Sequence, residues 1–201
     1  MRAHYIALEG IEGAGKSSLA PMVVSLLEAA GRPALWVREP GGTEAGEAIR
    51  DILLVRQSSL EAWTEALLFA AQRAQLAAEV IGPALQAGTS VVGDRSVYSS
   101  LAYQGAGRGL GVDLVRTVNR AGLGYVWPDI VVLLHVDPGL GLERQAIPDR
   151  IGSEGLDFQS RVASAYGRLA AEEPDRFIVV QATGALDRVA ATVVEEVLAR
   201  W

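Results

Sequence analysis

Short apolar runs alternate along this chain with longer stretches of helical periodicity. Residues 5–8, Tyr5-Ile6-Ala7-Leu8, are too few for a helix and are closed by Gly10, which predicts a buried strand. Residues 16–30 predict a helix ended by Gly31, with Pro21 beyond the first turn, where it removes a backbone hydrogen bond and bends the helix. A second apolar run spans 33–37. Helical patterns follow at 44–54 and 60–86, the second with Ser58 or Ser59 as a candidate cap. Residues 89–93 predict a third strand, 98–103 a helix, 105–111 a glycine-rich turn, and 112–121 another helix. The run 129–136, DIVVLLHV, is apolar almost throughout, as a strand covered on both faces should be. After it come a short helix at 139–144, a polar break at 145–155, a helix at 156–171, a strand at 177–180 and a helix at 186–201.

Five strands alternating with helices predict a three-layer α/β fold: a five-stranded parallel sheet between two layers of helices. No repeat or composition break divides the 201 residues, so one domain over 1–201 is expected.

Between the first strand and the first helix lies GIEGAGKSS, residues 10–18, which fits G-x-x-x-x-G-K-[ST] in the strand–loop–helix context that motif requires. Gly10, Ile11, Glu12, Gly13, Ala14, Gly15, Lys16, Ser17 and Ser18 are therefore the candidate phosphate-binding residues. The glycines let N–H groups converge on phosphate oxygens, the helix start adds its dipole, and Ser17 offers a hydroxyl to Mg²⁺. Lys16 is the only lysine in the chain. A thin, flexible ammonium reaches between phosphates where a planar guanidinium is wider. The spacing is not G-x-G-x-x-G, which disfavours a dinucleotide-binding dehydrogenase. With its single lysine at position 16, the chain also cannot contain the Asn-Lys-x-Asp segment by which GTPases read guanine.

Composition narrows the reading further. The net charge of −6 argues against a general nucleic-acid binder. There are no cysteines, so disulfides and thiolate metal sites are excluded. The N-terminal apolar run is too short for a signal peptide, and no apolar window is long enough to span a membrane. A cytoplasmic protein is expected.

What remains is mainly small kinases, which must hold a second anion close to ATP and so need arginines at strand ends. Arg38 ends the second predicted strand and Arg95 follows the third. Arg73 lies four residues after Phe69, on one helix face, where ring and guanidinium could stack on a base and bond its edge. Asp94 reads equally as a water-mediated Mg²⁺ partner or as a helix N-cap. Arg144 and Arg150 bracket a short loop that reads either as a lid over the phosphates or as a solvated surface turn.

These pieces together resemble the thymidylate kinases of bacterial type. The resemblance runs from about residue 6 to 182 and rests on LEGIEGAGKS, REPGGTEAGEAIRDILL, EALLFAAQRAQ, GDRSVYSSLAYQG, PDIVVLLHVDP and DRIGSEGLDFQSRVASAY. It implies ATP and Mg²⁺ as cofactors, dTMP as acceptor and a homodimer. It implies that Phe69 stacks on thymine, Arg73 bonds the base, and Arg95 with Arg38 holds the acceptor phosphate. Ser99, Ser100 and Tyr103 would line the nucleoside pocket, Tyr166 would crowd the sugar 2′ position, and Glu12 would face the 3′-OH or the metal shell. With no basic residue at 11–14, the catalytic arginine would come from a lid at about 144–152, as Arg144 or Arg150. Four positions differ from the usual pattern: Glu12, Gln72 and His135 stand for Asp, and Ser96 for an aromatic. The competing readings are a kinase of another nucleotide or nucleoside, and a nucleotide-dependent switch protein without a small acceptor.

Overall fold

The computed structural model of the chain describes residues 2–55, 59–145 and 150–201. Five parallel strands form one sheet in the order β2-β3-β1-β4-β5. β1 is Tyr5–Glu9, β2 Ala34–Arg38, β3 Ser90–Asp94, β4 Ile130–His135 and β5 Phe177–Gln181. Every residue of β1 and β3 is buried, and so is β4 up to His135. The edge strands alternate: Arg38 in β2 and Val179 and Gln181 in β5 face out. This is the difference expected between strands covered on both faces and strands at a sheet margin.

The connecting helices are α1 (Lys16–Ala29), α2 (Glu44–Leu54), α3 (Ala62–Leu76), α4 (Gly82–Gln86), α5 (Val97–Ser100), α6 (Val112–Leu123), α7 (Pro138–Glu143), α8 (Leu156–Glu172) and α9 (Leu186–Leu198). α1 packs on α9, while α3, α6 and α8 gather around the segment that follows α5. α2 has the bounds its pattern predicts. Thr43 caps it, its hydroxyl accepting from Gly46 N–H at 2.9 Å, and Glu44 and Glu47 sit in its first turn.

Three expectations change. α3 begins at Ala62 with Glu61 at its N-cap, so Ser59 does not cap it, and Ser58 lies outside the described residues. The long helical stretch is not uniform: Ala77–Ile81 widens to a π turn before α4. The glycine-rich run at 105–111 is not wholly a turn, because Leu101–Gly107 continues α5 as a π-helix. Its wider winding, marked by Arg108 N–H donating to Tyr103 O at 2.8 Å, has no room for side chains at two of the three last positions. A Cβ on Gly105 would lie 3.0 Å from Val112 Cα, and one on Gly107 2.9 Å from the Phe158 ring. Pro21 does not break α1, which runs on to Ala29. The missing N–H falls opposite the carbonyl of exposed Ser17, within reach of water.

Among the described residues a buried carboxylate ties α3 to the segments around it. Glu65 of α3 accepts from Gln104 Nε2 at 2.8 Å, from Arg108 Nε and Nη2 at 3.2 and 3.1 Å, and pairs with Arg150 Nη1 at 2.7 Å. Burial opposes its ionisation, but the Arg108 and Gln104 hydrogen bonds outweigh this and hold its pKa below the ordinary value. Such a carboxylate stabilises the fold above its unfolded pKa and loses that contribution as pH falls through the folded one. Glu65→Ala should therefore lower the unfolding free energy by about 3 kcal/mol or more at neutral pH, because Arg150 loses its carboxylate partner and Arg108 is left with Glu154 alone. In urea melts the gap between wild type and variant should close below about pH 4; a gap that persists there would mean packing, not charge, is lost.

Candidate active site

The loop 10–15 leaves β1, and α1 opens at Lys16 with Gly15 at its N-cap in the left-handed region (φ 88°). No side chain caps this end and no acidic residue sits in its first turn. The first N–H groups of a helix have no intrahelical partner, so the loop and the helix start offer donors and a positive dipole end to one place.

Lys16 is buried, and its Nζ donates to Gly10 O at 3.0 Å and Ile11 O at 2.7 Å, folding the side chain back along the loop. Burial first, and Arg95 second, pull its pKa down to about 8, against the pull of Glu12, Asp94 and Glu9. Ser17 Oγ donates to Asp94 Oδ2 at 2.6 Å; Ser18 is exposed beside it. Asp94 is not a helix cap, since Ser96 caps α5 by accepting from Tyr98 N–H.

The loop is seated by backbone contact. A Cβ on Gly13, where φ is 72°, would lie 2.0 Å from Gly141 O of α7, and a Cβ on Gly141 would lie 2.6 Å from Glu12 O. Only glycine on both sides allows this approach. Asp137 fixes the start of α7, accepting from Gly139 N–H at 2.9 Å and Leu140 N–H at 3.2 Å, so this carboxylate is spent on the cap. Exposed His135 stands two residues before it.

Two cavities share the loop as a wall. The first, about 250 Å³, is lined by Glu12, Ser17 and Asp94 at the loop, by Arg38 and Arg95 at the strand ends, and by Phe69, Ser99, Ser100, Tyr103 and Gln104. The second, about 400 Å³, is lined by Gly13, Ala14, Gly15, Leu19, Arg144, Ala182, Leu186 and Val189. The strand register brings Arg38 and Leu8 level with Asp94, so the first cavity opens at the carboxyl ends of β1, β2 and β3.

Arg95 has φ 74°, the one positive φ at a non-glycine residue among those described. Its guanidinium pairs with Glu12, lies 5.2 Å from the Tyr103 ring centre and donates to Ser99 Oγ at 3.4 Å. Burial works against its charge, but Glu12 and the other oxygens around it keep its pKa well above the ordinary value. Glu12 responds in kind: burial opposes ionisation, and Arg95 and Lys16 still hold its pKa low. Arg38 is half-exposed and pairs with Glu47 at 3.1 Å.

Phe69 and Arg73 do share one helix face, and both are buried, but only Phe69 lines the cavity. Arg73 stands behind it, with Nε on Glu39 Oε2 at 2.6 Å and Nη1 on Ser100 Oγ at 3.1 Å and Asn119 Oδ1 at 2.6 Å. Gln72 donates to the same Glu39 oxygen at 2.9 Å, where an aspartate would repel it. Burial raises the Glu39 pKa against the pull of Arg73. Tyr166 also lies behind the wall, its hydroxyl bonded to Glu9 and near Ser99, and its ring edge-on to Tyr103.

The two arginines bracketing the polar break do not converge. Arg144 borders the second cavity and donates to Ala182 O at 3.0 Å. Arg150 is held on the other side, by Leu53 O at 2.9 Å and by Glu65. Residues 146–149 of the expected lid lie outside the described residues.

Sequence reasoning did not single out Glu9, Glu39, Gln104 or Asn119. Asn119 had a signal: it sits with Val115 and Leu123 on the buried stripe of α6, a polar residue at an apolar position.

Comparison with known proteins gives concordant matches. A family model described as thymidylate kinase matches residues 8–193. A protein of Deinococcus radiodurans named thymidylate kinase is 44% identical over 192 residues, covering 94% of this chain and 93% of its own. Proteins of the same name from Pelotomaculum thermopropionicum and Lactobacillus delbrueckii subsp. bulgaricus are 44% and 42% identical, covering 92% and 97% of this chain and 88% and 95% of their own.

The Gly13–Gly141 contact generates a prediction with opposed terms. Gly141→Ala should favour helix α7 by about 1 kcal/mol on propensity alone. The added Cβ nevertheless meets the Glu12 carbonyl, so the loop must shift. Isothermal titration with a non-hydrolysable nucleoside triphosphate should show affinity reduced about tenfold or more, with thermal stability little changed. Unaltered affinity would show that the loop tolerates displacement.

Proposed function

The chain belongs to the thymidylate kinase family, and from that premise we propose that it transfers the γ-phosphoryl group of ATP to dTMP, giving ADP and dTDP. The observation that carries this reading is the phosphate loop standing as a shared wall between two cavities, one bearing Arg95, Arg38 and Phe69, the other Arg144 and aliphatic side chains. Phosphoryl transfer needs two nucleotides held on either side of one reacting phosphate, with positive charge around it.

In this proposal the loop amides and Lys16 hold the donor phosphates, with the adenine side in the second cavity. Lys16 exchanges the carbonyls of Gly10 and Ile11 for phosphate oxygens. Arg95 exchanges Glu12 for the acceptor phosphate, assisted by Arg38. Arg144, already beside the loop, is the better placed of the two lid arginines to meet the transferring group; Arg150 is committed to Glu65. Phe69 stacks on the thymine, Ser99, Ser100 and Tyr103 line the nucleoside, and Arg73, which does not line the cavity, holds Ser100 from behind. Tyr166 closes off the 2′ side of the sugar. No general base is required, because the acceptor phosphate is already anionic.

The residues suit Mg²⁺. The Ser17 hydroxyl and Asp94 carboxylate are hard oxygen ligands held 2.6 Å apart beside the loop. No group of three His, Cys, Asp or Glu that could hold a metal by itself occurs among the described residues, so nucleotide phosphates and water would supply the remaining ligands. Ser17 would bind the ion directly and Asp94 through water. The ion, when bound, neutralises charge on the β- and γ-oxygens.

The proposal extends to a homodimer in the cytoplasm without a nucleic-acid partner. Trp63 and Leu67, four apart on α3, are exposed, as is Leu114 on the adjoining α6, an apolar area suited to a second copy. Among the described residues no helix is long and apolar enough to cross a membrane.

A coupled assay of ADP release across dTMP, dUMP, UMP, dCMP and thymidine tests the reaction; dTMP should be fastest. Equal ADP release with and without every acceptor would instead indicate a switch-type nucleotidase. Arg95→Ala, in folded protein, should lower kcat/KM for dTMP by at least about 100-fold, the loss expected when a charge clamp goes. Arg144→Ala should lower kcat more than it raises the KM for dTMP. If only Arg150→Ala does so, the catalytic assignment moves to that residue.

A further inference from the structure

Glu9 closes β1, next to Gly10, and is fully buried. No lysine or arginine forms a salt bridge with it among the described residues. Instead its carboxylate accepts four hydrogen bonds. Oε1 takes Ser96 Oγ–H at 2.6 Å and Ser99 N–H at 3.1 Å; Oε2 takes Ser99 Oγ–H at 2.6 Å and Tyr166 O–H at 2.7 Å. A buried carboxylate without a cation is expensive unless every oxygen is bonded, as here. The donors come from two elements, α5 with its cap and α8, so one group at the root of the phosphate loop ties both to β1.

An ionised carboxylate has no hydrogen to give. The hydroxyls of Ser96, Ser99 and Tyr166 therefore all point their hydrogens at Glu9, which fixes their polarity. Ser99 Oγ is left with lone pairs on its other side, where Arg95 Nη1 donates at 3.4 Å. Ser99 lines the first cavity, and the Tyr166 ring packs against Tyr103, which lines it too. Glu9 itself does not reach the cavity.

We propose that Glu9 is a positioning residue for the acceptor nucleotide: by setting the hydroxyl directions of Ser99 and Tyr166 it aims Arg95 at the acceptor phosphate and holds the wall beside the sugar. The inference rests on the kinase reading above. It assigns to the strand that roots the donor loop a part in recognising the deoxynucleoside monophosphate.

Glu9→Gln keeps the shape but replaces one acceptor oxygen by an N–H₂ donor, so the hydroxyls facing that position must reverse to accept from it, or the Ser99 amide loses its acceptor. Steady-state kinetics should show the KM for dTMP raised about tenfold or more, as for loss of a hydrogen bond to a charged group, with the KM for ATP within about twofold. The double variant Glu9→Gln/Ser99→Ala should be less than additive, because the two act through one contact. Equal rises in both KM values, or wild-type kinetics in a folded Glu9→Gln protein that phosphorylates dTMP, would overturn the proposal while leaving the kinase reading intact. Absence of dTMP phosphorylation by the wild type would instead defeat the kinase reading. If Glu9→Gln does not fold, Tyr166→Phe, which deletes only the hydroxyl behind the wall, carries the test: it should raise the KM for dTMP selectively, and unchanged values would refute the assignment.

Discussion

The carboxyl end of β1 is the point from which the site is built. β1 is hydrogen-bonded along both edges, to β3 and to β4, and is buried over its whole length. Its last residues therefore have almost no freedom. The sheet order also reverses direction here: β2 and β3 lie to one side of β1, β4 and β5 to the other. Open parallel sheets place ligands at such a switch point, outside the strand ends. The loop at 10–15 leaves the sheet there, and the arginine at 95 and the helix α7 are set by the two strands that flank it.

The cations of the site are all engaged within the chain. Lys16 rests on two loop carbonyls, Arg95 on Glu12, Arg38 on Glu47, Arg73 on Glu39 and Arg144 on Ala182 O. Anion binding is then an exchange of partners, and its net free energy is a difference between two sets of charge-assisted hydrogen bonds. Such an arrangement lets several positive groups stand close together before any ligand arrives. Glu12 is central to it: it pairs with Arg95 and lies close enough to Lys16 to lower its own pKa.

Periodicity and motif together made the sheet, the loop and the α2 bounds legible, because strand burial and phosphate geometry are local constraints. The arginines at strand ends were legible for the same reason. What was not legible depends on contacts distant in sequence. Arg144 and Arg150 flank one short break, yet a backbone contact at Gly141 seats the first by the loop and Glu65 draws the second away. The shared face of Phe69 and Arg73 followed from helical spacing. That the cavity stops at Phe69 and Ser100, leaving Arg73 behind them, did not. The π-helix at Leu101–Gly107 carries Tyr103 and Gln104 to one cavity, and no residue type announces that winding. Nothing in the pattern marks Glu9, since only the fold brings its three hydroxyl donors to it.

The left-handed backbone at Arg95 carries a cost of its own. For a side chain of this size the conformation costs about 1–2 kcal/mol, and glycine would relieve it. The backbone thus favours a residue other than the one the sequence places there. The chain accepts that backbone cost at the very residue whose guanidinium stands against Glu12 and the Tyr103 ring.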